Sequence, residues 1–245
     1  MAAGVPVAQT VAICDGLYAV TDVVEKVRNT GDIVAKPANA SGGDGILVLG
    51  SRQDDGWRAS GGRLVTDDDL EQHLANIVFG AYAKELDDRA FIEERIFAHP
   101  KLQSWSPDGL CDVRLLFLRG EPLMAMLRVP TRVSGGRANL HQGGVGVAID
   151  LATGRTTRAV VREQVTDVHP DTGAELVGYD LPDWEQTLEV GRRAAGCVPL
   201  GYLGVDIVLD ADRGPLVLEM NARPGLEIQN VNGRFLGPKV DRVLA

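Results

Sequence analysis

Two apolar stretches near the C-terminus flank a short polar turn, and they read GVDIVLD (204–210), ADRG (211–214) and PLVLEMNARPG (215–225). β-Branched and apolar residues on both sides of a turn that contains Asp and Gly predict a β-hairpin. If residues 211–214 form the turn, Asp210 pairs with Pro215, and this pairing sets the register of the whole hairpin.

The register of this hairpin brings three oxygen-bearing side chains together. Asp206 falls directly opposite Glu219, and Asn221 shares their face because side chains alternate along a strand. Opposed side chains have Cβ atoms roughly 5 Å apart, so two unpaired carboxylates there repel. A hard cation with oxygen ligands, Mg²⁺ above all, removes this conflict. Salt bridges at the strand ends are the alternative, and the hairpin alone favours neither.

Length and composition limit the class of protein. A chain of 245 residues, 44% of them hydrophobic, can bury a sizeable core as one domain or two interlocked lobes. The net charge of -9 argues against a nucleic-acid partner, since a phosphate backbone needs a basic surface. A small anionic ligand needs only a few local Arg and Lys residues and is not excluded.

The cysteines and the apolar runs indicate the compartment. Three widely spaced cysteines without a C-x-x-C pair predict free thiols in a reducing compartment. No apolar run approaches the roughly 20 residues of a membrane helix, and residues 1–20 lack the basic n-region of a signal peptide. The sequence therefore predicts a cytoplasmic protein without a membrane partner, and it leaves a homo-oligomer open.

A second motif joins a lysine to a glycine-rich turn. Residues 32–37 (DIVAKP) predict a short strand with Lys36 near its end, and SGGDG (41–45) precedes a second strand, residues 46–49. Such a turn exposes backbone N–H groups that bind phosphate oxygens, and the lysine adds positive charge. Glycine-rich hairpins are common, so this motif alone is weak evidence.

A third set of charges lies on a predicted hairpin. Residues 111–118 and 123–129 predict its strands, with Asp112 and Arg114 on one face and Arg128 at the end of the second strand. Strand arginines usually form exposed salt bridges, yet three charges on a mostly apolar sheet favour a site. The segment SGGRANLHQGG, which follows this hairpin, predicts a loop whose backbone approaches a ligand.

These motifs resemble, in the same order, those of the ATP-grasp ligases, and most closely the RimK-like α-L-glutamate ligases. The family's lysine and flexible glycine-rich loop are similar to VAKP and SGGDG, and its adenine hinge is similar to IEERI (92–96). Its catalytic motifs are similar to CDVR (111–114), Arg128 and NLHQGG (139–144), and its metal-binding end to GVDI (204–207) and LEMNARPG (218–225). The shared order is far more specific than any single motif.

The resemblance implies an α+β fold, the ATP-grasp fold, in which two α/β lobes with antiparallel sheets clasp the nucleotide. The small lobe is expected over residues 1–91 and the large lobe over residues 92–245. The implied reaction joins a small-molecule or peptide carboxylate to an amine. ATP phosphorylates the carboxylate, the amine attacks the acyl phosphate, and an amide, ADP and phosphate leave.

The resemblance also implies roles for single residues, with ATP and Mg²⁺ as cofactors. The nucleotide set holds the phosphates and adenine: Lys36, Ser41, Gly42, Gly43, Gly45, Glu93, Glu94, Arg95 and Ile96. The metal set is Asp206, Glu219 and Asn221, and the catalytic set is Arg114, Arg128, Asn139 and Arg223. This agrees with phosphoryl transfer, where positioning and charge neutralisation supply nearly all of the catalysis.

Two departures from the family pattern matter for function. Arg223 stands where many glutamate ligases have Ser, and an extra cation beside the metal face suits an acidic substrate. The family also has a further N-terminal domain and an additional ATP-binding lysine ahead of the segment equivalent to residues 5–7. This sequence begins too late to include either, which leaves open a fragment, a mis-assigned start or a naturally short protein. A non-catalytic nucleotide-binding or regulatory module and a phosphotransferase on the same fold therefore remain as alternatives, and the substrates stay unidentified.

Overall fold

The computed structural model describes residues 4–40, 42–59, 61–83, 87–106 and 109–244. They form two compact units, a small unit, Ala8–Ile96, and a large unit, Met1–Val7 with Phe97–Ala245. The small unit extends five residues beyond the boundary expected between residues 91 and 92. That boundary would cut a strand that pairs on both sides with strands of the small unit, so this strand and the residues up to Ile96 belong there.

The small unit has a four-stranded antiparallel sheet in the order β1-β6-β2-β3, with a separate two-stranded sheet of β4 and β5. Its strands are β1 (Thr10–Cys14), β2 (Ile33–Pro37), β3 (Leu47–Leu49), β4 (Trp57–Arg58), β5 (Leu64–Val65) and β6 (Ala90–Glu94), and its helices are α1 (Val20–Val27) and α2 (Asp67–Val78).

Alternation along the strands decides which side chains of the small sheet face the helices. Ile33 and Ala35 of β2 and Ile92 of β6 are fully buried, and they share a core with the apolar faces of α1 and α2. The residues between them point to the opposite face. Lys36 and Glu93 therefore lie, half-buried, on the side of the sheet that these helices leave uncovered.

The large unit is built on a seven-stranded antiparallel sheet in the order β11-β10-β9-β8-β7-β12-β13. Its strands are β7 (Asp112–Leu118), β8 (Glu121–Val129), β9 (Val145–Ile149), β10 (Thr156–Val161), β11 (Gln164–Thr166), β12 (Tyr202–Asp210) and β13 (Gly214–Asn221), and its helices are α3 (Trp184–Ala195), α4 (Glu227–Asn232) and α5 (Gly237–Leu244). No helix in the described part of the chain is long and apolar enough to cross a bilayer.

Both faces of the large sheet carry apolar clusters. Val205 and Ile207 of β12 belong to the core that contains α3, whereas Met126 of β8 packs with Ile228 of α4 on the other face. Strand alternation continues this second face with charged residues near one end of β7 and β8 and at the middle of β12. Asp206, which stands between two core residues of the first face, is one of them.

The hairpin of β12 and β13 differs from the prediction at its turn. Asp210 pairs with Gly214, so the turn is one residue shorter than expected. The carboxylate of Asp210 accepts hydrogen bonds from the N–H groups of Asp212 (3.1 Å) and Arg213 (3.0 Å), which tightens the turn. Gly214, with φ of 71°, ends it in the left-handed conformation that favours glycine.

A bulge then restores the predicted register. Ile207 pairs with Val217 and Asp206 pairs with Glu219, so β13 contains one extra residue between these two pairs. The shorter turn and the bulge shift the pairing by one residue in opposite directions. The predicted pairing of Asp206 with Glu219 is therefore confirmed, although the predicted turn is wrong.

Candidate functional site

Arg114 and Asp206 form the centre of a charged cluster on the large sheet. They are directly opposed on the neighbouring strands β7 and β12. Two nitrogens of Arg114 donate to the two oxygens of Asp206, Nε to Oδ1 at 2.7 Å and Nη2 to Oδ2 at 2.5 Å. This is the bidentate geometry in which a guanidinium binds a carboxylate most strongly.

Arg128 joins a second carboxylate to this centre. Its Nε donates to Oδ1 of Asp112, the opposed residue on β7, at 2.6 Å, and its Nη2 donates to Oδ2 of Asp206 at 2.7 Å. The sequence predicted that Asp112 and Arg114 share a face with Arg128 nearby. The structure adds Asp206 as the group that both arginines contact.

Burial and charge set the protonation of the cluster. Asp206 is 0% exposed, and burial opposes its ionisation, but the hydrogen bonds from Arg114 and the charge of Arg128 hold its pKa below the ordinary value. Burial raises the pKa of Asp112 to about 7, against the opposing charge of Arg128. Asp206 is thus the carboxylate of the cluster that is charged at neutral pH.

Glu219 and Asn221 complete the cluster on β13. The amide nitrogen of Asn221 donates to Oε1 of Glu219 at 3.0 Å and to Oδ2 of Asp206 at 3.3 Å. Partial burial raises the pKa of Glu219, and its hydrogen bond with Asp206 adds to this effect. The predicted metal set therefore does converge in the structure, and the two carboxylates face each other with only an amide between them.

The donor set of this cluster fits a hard divalent cation. Asp206, Glu219 and Asn221 offer carboxylate and amide oxygens, which Mg²⁺ prefers. The described residues contain no group of three or more His, Cys, Asp or Glu side chains that could hold a metal. A magnesium ion here would need further oxygens from a ligand, as is usual for magnesium sites that also bind phosphate.

The small unit carries a separate ion pair between Lys36 and Glu93. Nζ of Lys36 lies 2.6 Å from Oε2 of Glu93, and the two side chains are 27% and 15% exposed. The sequence assigned Glu93 to the adenine segment and did not foresee this contact. No local signal could have shown it, because β2 and β6 are neighbours in the sheet but far apart in sequence.

The predicted adenine segment offers one unused backbone donor. The N–H groups of Glu94 and Arg95 donate to the carbonyls of Gln9 (3.0 Å) and Asp32 (2.9 Å). In the part of the chain that the structure describes, the N–H of Ile96 has no acceptor. A backbone donor at this position is suited to a ring nitrogen of a base.

The glycine-rich loop has the backbone conformation expected of it. Gly42, Gly43 and Gly45 have φ values of 68°, 81° and 75°, all in the left-handed region that favours glycine. Ser41, which belongs to the same predicted set, lies outside the described residues. The loop thus has conformations from which successive N–H groups can point to one anion.

Two members of the predicted catalytic set are not joined to the cluster. Oδ1 of Asn139 accepts a hydrogen bond from the N–H of His141 at 3.0 Å, which caps a short 3₁₀ turn, Leu140–Gln142. Arg223 is exposed just beyond the end of β13. Within the described residues neither side chain bonds to Asp206, Arg114 or Arg128, so their catalytic roles stay predictions.

Comparison with known proteins identifies the family and the fold. The family model described as sugar-transfer associated ATP-grasp matches residues 1–245. Among the relatives is ribosomal protein bS6–L-glutamate ligase of Escherichia coli O7:K1 (strain IAI39 / ExPEC), which is 32% identical over 147 residues. That match covers 59% of this chain and 38% of the relative, so the chain spans well under half the length of the curated relatives it matches.

Solved structures confirm the predicted α+β class and the ATP-grasp fold. A biotin carboxylase from Campylobacter jejuni in complex with β-γ-ATP has a TM-score of 0.56 at 15% identity, covering 94% of this chain and 40% of that one. A D-alanine–D-alanine ligase from Bacillus anthracis has a TM-score of 0.52 at 12% identity, covering 98% and 61%. Together with the match over its full length, these similarities show that the chain belongs to the sugar-transfer associated ATP-grasp family.

Proposed function

We propose that this protein is an ATP- and Mg²⁺-dependent carboxylate–amine ligase that forms an amide or peptide bond through an acyl phosphate. The observation that carries the proposal is the convergence of Asp206, Glu219 and Asn221 beside two half-buried arginines. Membership of the ATP-grasp family and the similarity to a bS6–L-glutamate ligase support the same reaction class.

Asp206, Glu219 and Asn221 are the residues that would hold the magnesium ion. Above pH 7, where Asp112 is ionised as well, the three acids of the cluster outnumber its two arginines by one, which leaves a net charge of -1. A bound cation is favoured by this excess negative charge. When bound, Mg²⁺ supplies charge neutralisation for the phosphate oxygens.

Arg114 and Arg128 keep donors for the transferring phosphoryl group. Each uses Nε and Nη2 for its carboxylates, and neither Nη1 group has an acceptor among the described residues. The side chains are 13% and 15% exposed, so ligand access is limited but present. Fixed cations in such surroundings stabilise the charge that develops in an acyl phosphate better than mobile ones do.

Lys36, the glycine-rich loop and the N–H of Ile96 would bind the nucleotide in the small unit. Glu93 fixes the ammonium group of Lys36 by the 2.6 Å ion pair, so the lysine side chain is already ordered. The left-handed glycines provide N–H groups for phosphate oxygens, and Ile96 provides a donor for adenine.

The reaction itself is tested by measuring ADP release over a panel of amino acids and peptides, with the products identified by mass. A ligase releases ADP only with a suitable carboxylate and amine, and its product is an amide. A phosphotransferase would instead give a product that retains the phosphoryl group. A regulatory module would bind ATP and release no ADP with any member of the panel.

The Lys36→Ala variant tests nucleotide binding directly. ATP with Mg²⁺ should raise the melting temperature of the wild-type protein, and Lys36→Ala should remove most of this rise because the phosphates lose their cation. The substitution also leaves Glu93 unpaired, so each protein is compared with itself without nucleotide. Lys26→Ala is the matched control, since Lys26 is exposed on α1. Equal rises in Lys36→Ala and in the control would refute the assignment of Lys36.

The Arg223→Ser variant tests substrate preference. Arg223 is exposed and has no partner within the described residues, so its charge is available to a ligand. We expect Arg223→Ser to raise KM for an acidic substrate about tenfold, the size of one lost charge-assisted hydrogen bond, with KM for ATP unchanged. Arg234→Ser, at another exposed arginine, is the control. A parallel rise in both KM values would show that Arg223 contacts the nucleotide or supports the structure.

A further inference from the structure

The glycine-rich loop of the small unit is held at both ends by side chains that its own sequence does not contain. Asp88 binds Asn39, the residue that enters the loop, and His73 binds Gly45, the residue that leaves it. We call these two contacts the entry anchor and the exit anchor. Neither Asp88 nor His73 belongs to a motif identified in the sequence.

The entry anchor is a buried carboxylate that binds only neutral donors. Asp88 is 5% exposed and accepts three hydrogen bonds, from the N–H of Asn39 (3.1 Å), its Nδ2 (2.9 Å) and the N–H of Arg89 (2.8 Å). No lysine or arginine pairs with it in the described ranges. Burying a carboxylate is unfavourable unless its hydrogen bonds are made, so the charge holds Asn39 in this position.

The exit anchor combines a hydrogen bond from His73 with close packing of the Tyr82 ring against Gly45. Nε2 of His73 lies 3.0 Å from the carbonyl oxygen of Gly45, and because that oxygen only accepts, Nε2 carries the proton. The ring of Tyr82 lies under Gly45, where a Cβ atom would come within 2.7 Å of it. The ring centroids of His73 and Tyr82 are 5.9 Å apart, so α2 and the segment after it support the end of the loop together.

We propose that Asp88 and His73 are positioning residues that fix the two ends of the glycine-rich loop, so that its N–H groups are already directed towards the phosphates of the nucleotide. This inference rests on the proposed nucleotide binding by the small unit. A loop with left-handed glycines is conformationally free unless its ends are held, and ordering it on binding weakens the affinity. The two anchors reduce the conformational entropy that the loop loses on binding, and they do so without contacting the nucleotide.

Asp88→Asn separates this role from a general structural one. The amide oxygen of asparagine can still accept from Nδ2 of Asn39 and from the N–H of Arg89, but its nitrogen then faces the N–H of Asn39, so the entry anchor loses its charge and one hydrogen bond. We expect the Kd for ATP to rise about tenfold, as for the loss of a hydrogen bond to a charged group, whereas the Kd for adenosine, which has no phosphates, should not change. Asp87→Asn is the matched control because Asp87 is exposed and adjacent.

A second pair of variants tests the exit anchor. His73→Phe keeps a ring beside Tyr82 but removes the donor to Gly45, and His73→Gln keeps a donor in a side chain of similar reach. We expect His73→Phe to weaken ATP binding about fivefold, as for one neutral hydrogen bond, again without an effect on adenosine. His73→Gln should retain part of the ATP affinity that His73→Phe loses.

The outcomes distinguish this inference from the proposed function. Wild-type protein that binds no ATP would overturn both. If the wild type binds ATP and the ratio of the ATP and adenosine affinities is the same in Asp88→Asn, His73→Phe and the control, the anchors do not position the loop and only this inference fails. If Asp88→Asn does not fold, the His73 pair decides, since those substitutions remove no buried charge.

Discussion

Glu219→Gln is expected to lower the rate of ADP release by about 10²–10³-fold, the range for removing one electrostatic group from a transition state, without lowering the melting temperature. The variant keeps the shape of the side chain and its contact with Asn221 but removes one negative charge from the metal set. In metal-free buffer the melting temperature should stay the same or rise, because the repulsion between Glu219 and Asp206 is relieved.

The structure argues against the alternative that Glu219 serves as a structural salt bridge. Its closest cation is Nη2 of Arg114 at 3.8 Å, and the Glu219 side chain is 58% exposed, so this pair contributes little to stability. A structural salt bridge would show the reverse pattern, with a lower melting temperature and unchanged magnesium-dependent nucleotide binding. Glu189→Gln is the matched control, at an exposed glutamate of α3.

Strand alternation explains why the convergence of Asp206, Glu219 and Asn221 could be predicted from the sequence. Asp206, Glu219 and Asn221 are polar residues in apolar strands, and their two-residue period placed them on one face. The length of the turn between β12 and β13 could not be predicted from its residues. The residues of the turn do not show that the carboxylate of Asp210 will bind two N–H groups and shorten it, or that a bulge will compensate.

Contacts between distant segments could not be predicted. The pairing of Lys36 with Glu93 depends on the position of β6 beside β2, and the binding of Asn39 by Asp88 joins residues that are 49 positions apart. The period of the hydrophobic pattern and the composition of a segment describe single helices and strands. They carry no information about which of these elements become neighbours. The extent of the small unit depends on contacts of the same kind, since the pairing of β6 with strands on both sides places β6 in that unit.

The same limit applies to the arginines. The predicted hairpin of β7 and β8 placed Arg114 and Arg128 near Asp112, but only the strand order β8-β7-β12 shows that Asp206 lies beside both arginines. Asp206, which was expected only as a metal ligand, is therefore also the carboxylate to which both arginines donate hydrogen bonds. Glu219 and Asp206 are both predicted metal ligands, yet we expect their substitution to affect the free energy of unfolding differently.

Asp206→Asn should be the most damaging single substitution in the cluster. Asp206 is 0% exposed and accepts three hydrogen bonds from Arg114 and Arg128, at 2.7, 2.5 and 2.7 Å. With asparagine, the guanidinium groups of Arg114 and Arg128, which are only 13% and 15% exposed, face a neutral amide, and only Asp112 remains as a partner for Arg128. Breaking a buried ion pair by removing one partner costs about 3–5 kcal/mol, and we expect the free energy of unfolding to fall by that amount.

Urea unfolding, with ADP release measured on the folded fraction, tests this expectation. Asp180→Asn is the control, since Asp180 pairs with Arg155 at 2.7 Å on the surface, with side chains 71% and 52% exposed, and such pairs contribute about 0–1 kcal/mol. Because the pKa of Asp206 is lowered from 3.8, its contribution to stability is complete above that pH and is lost as the pH falls through the folded value. The difference in the free energy of unfolding between wild type and Asp206→Asn should therefore become smaller at acidic pH. A loss of stability no larger than that of the control would mean that the arginines find other partners and that Asp206 does not hold the cluster together.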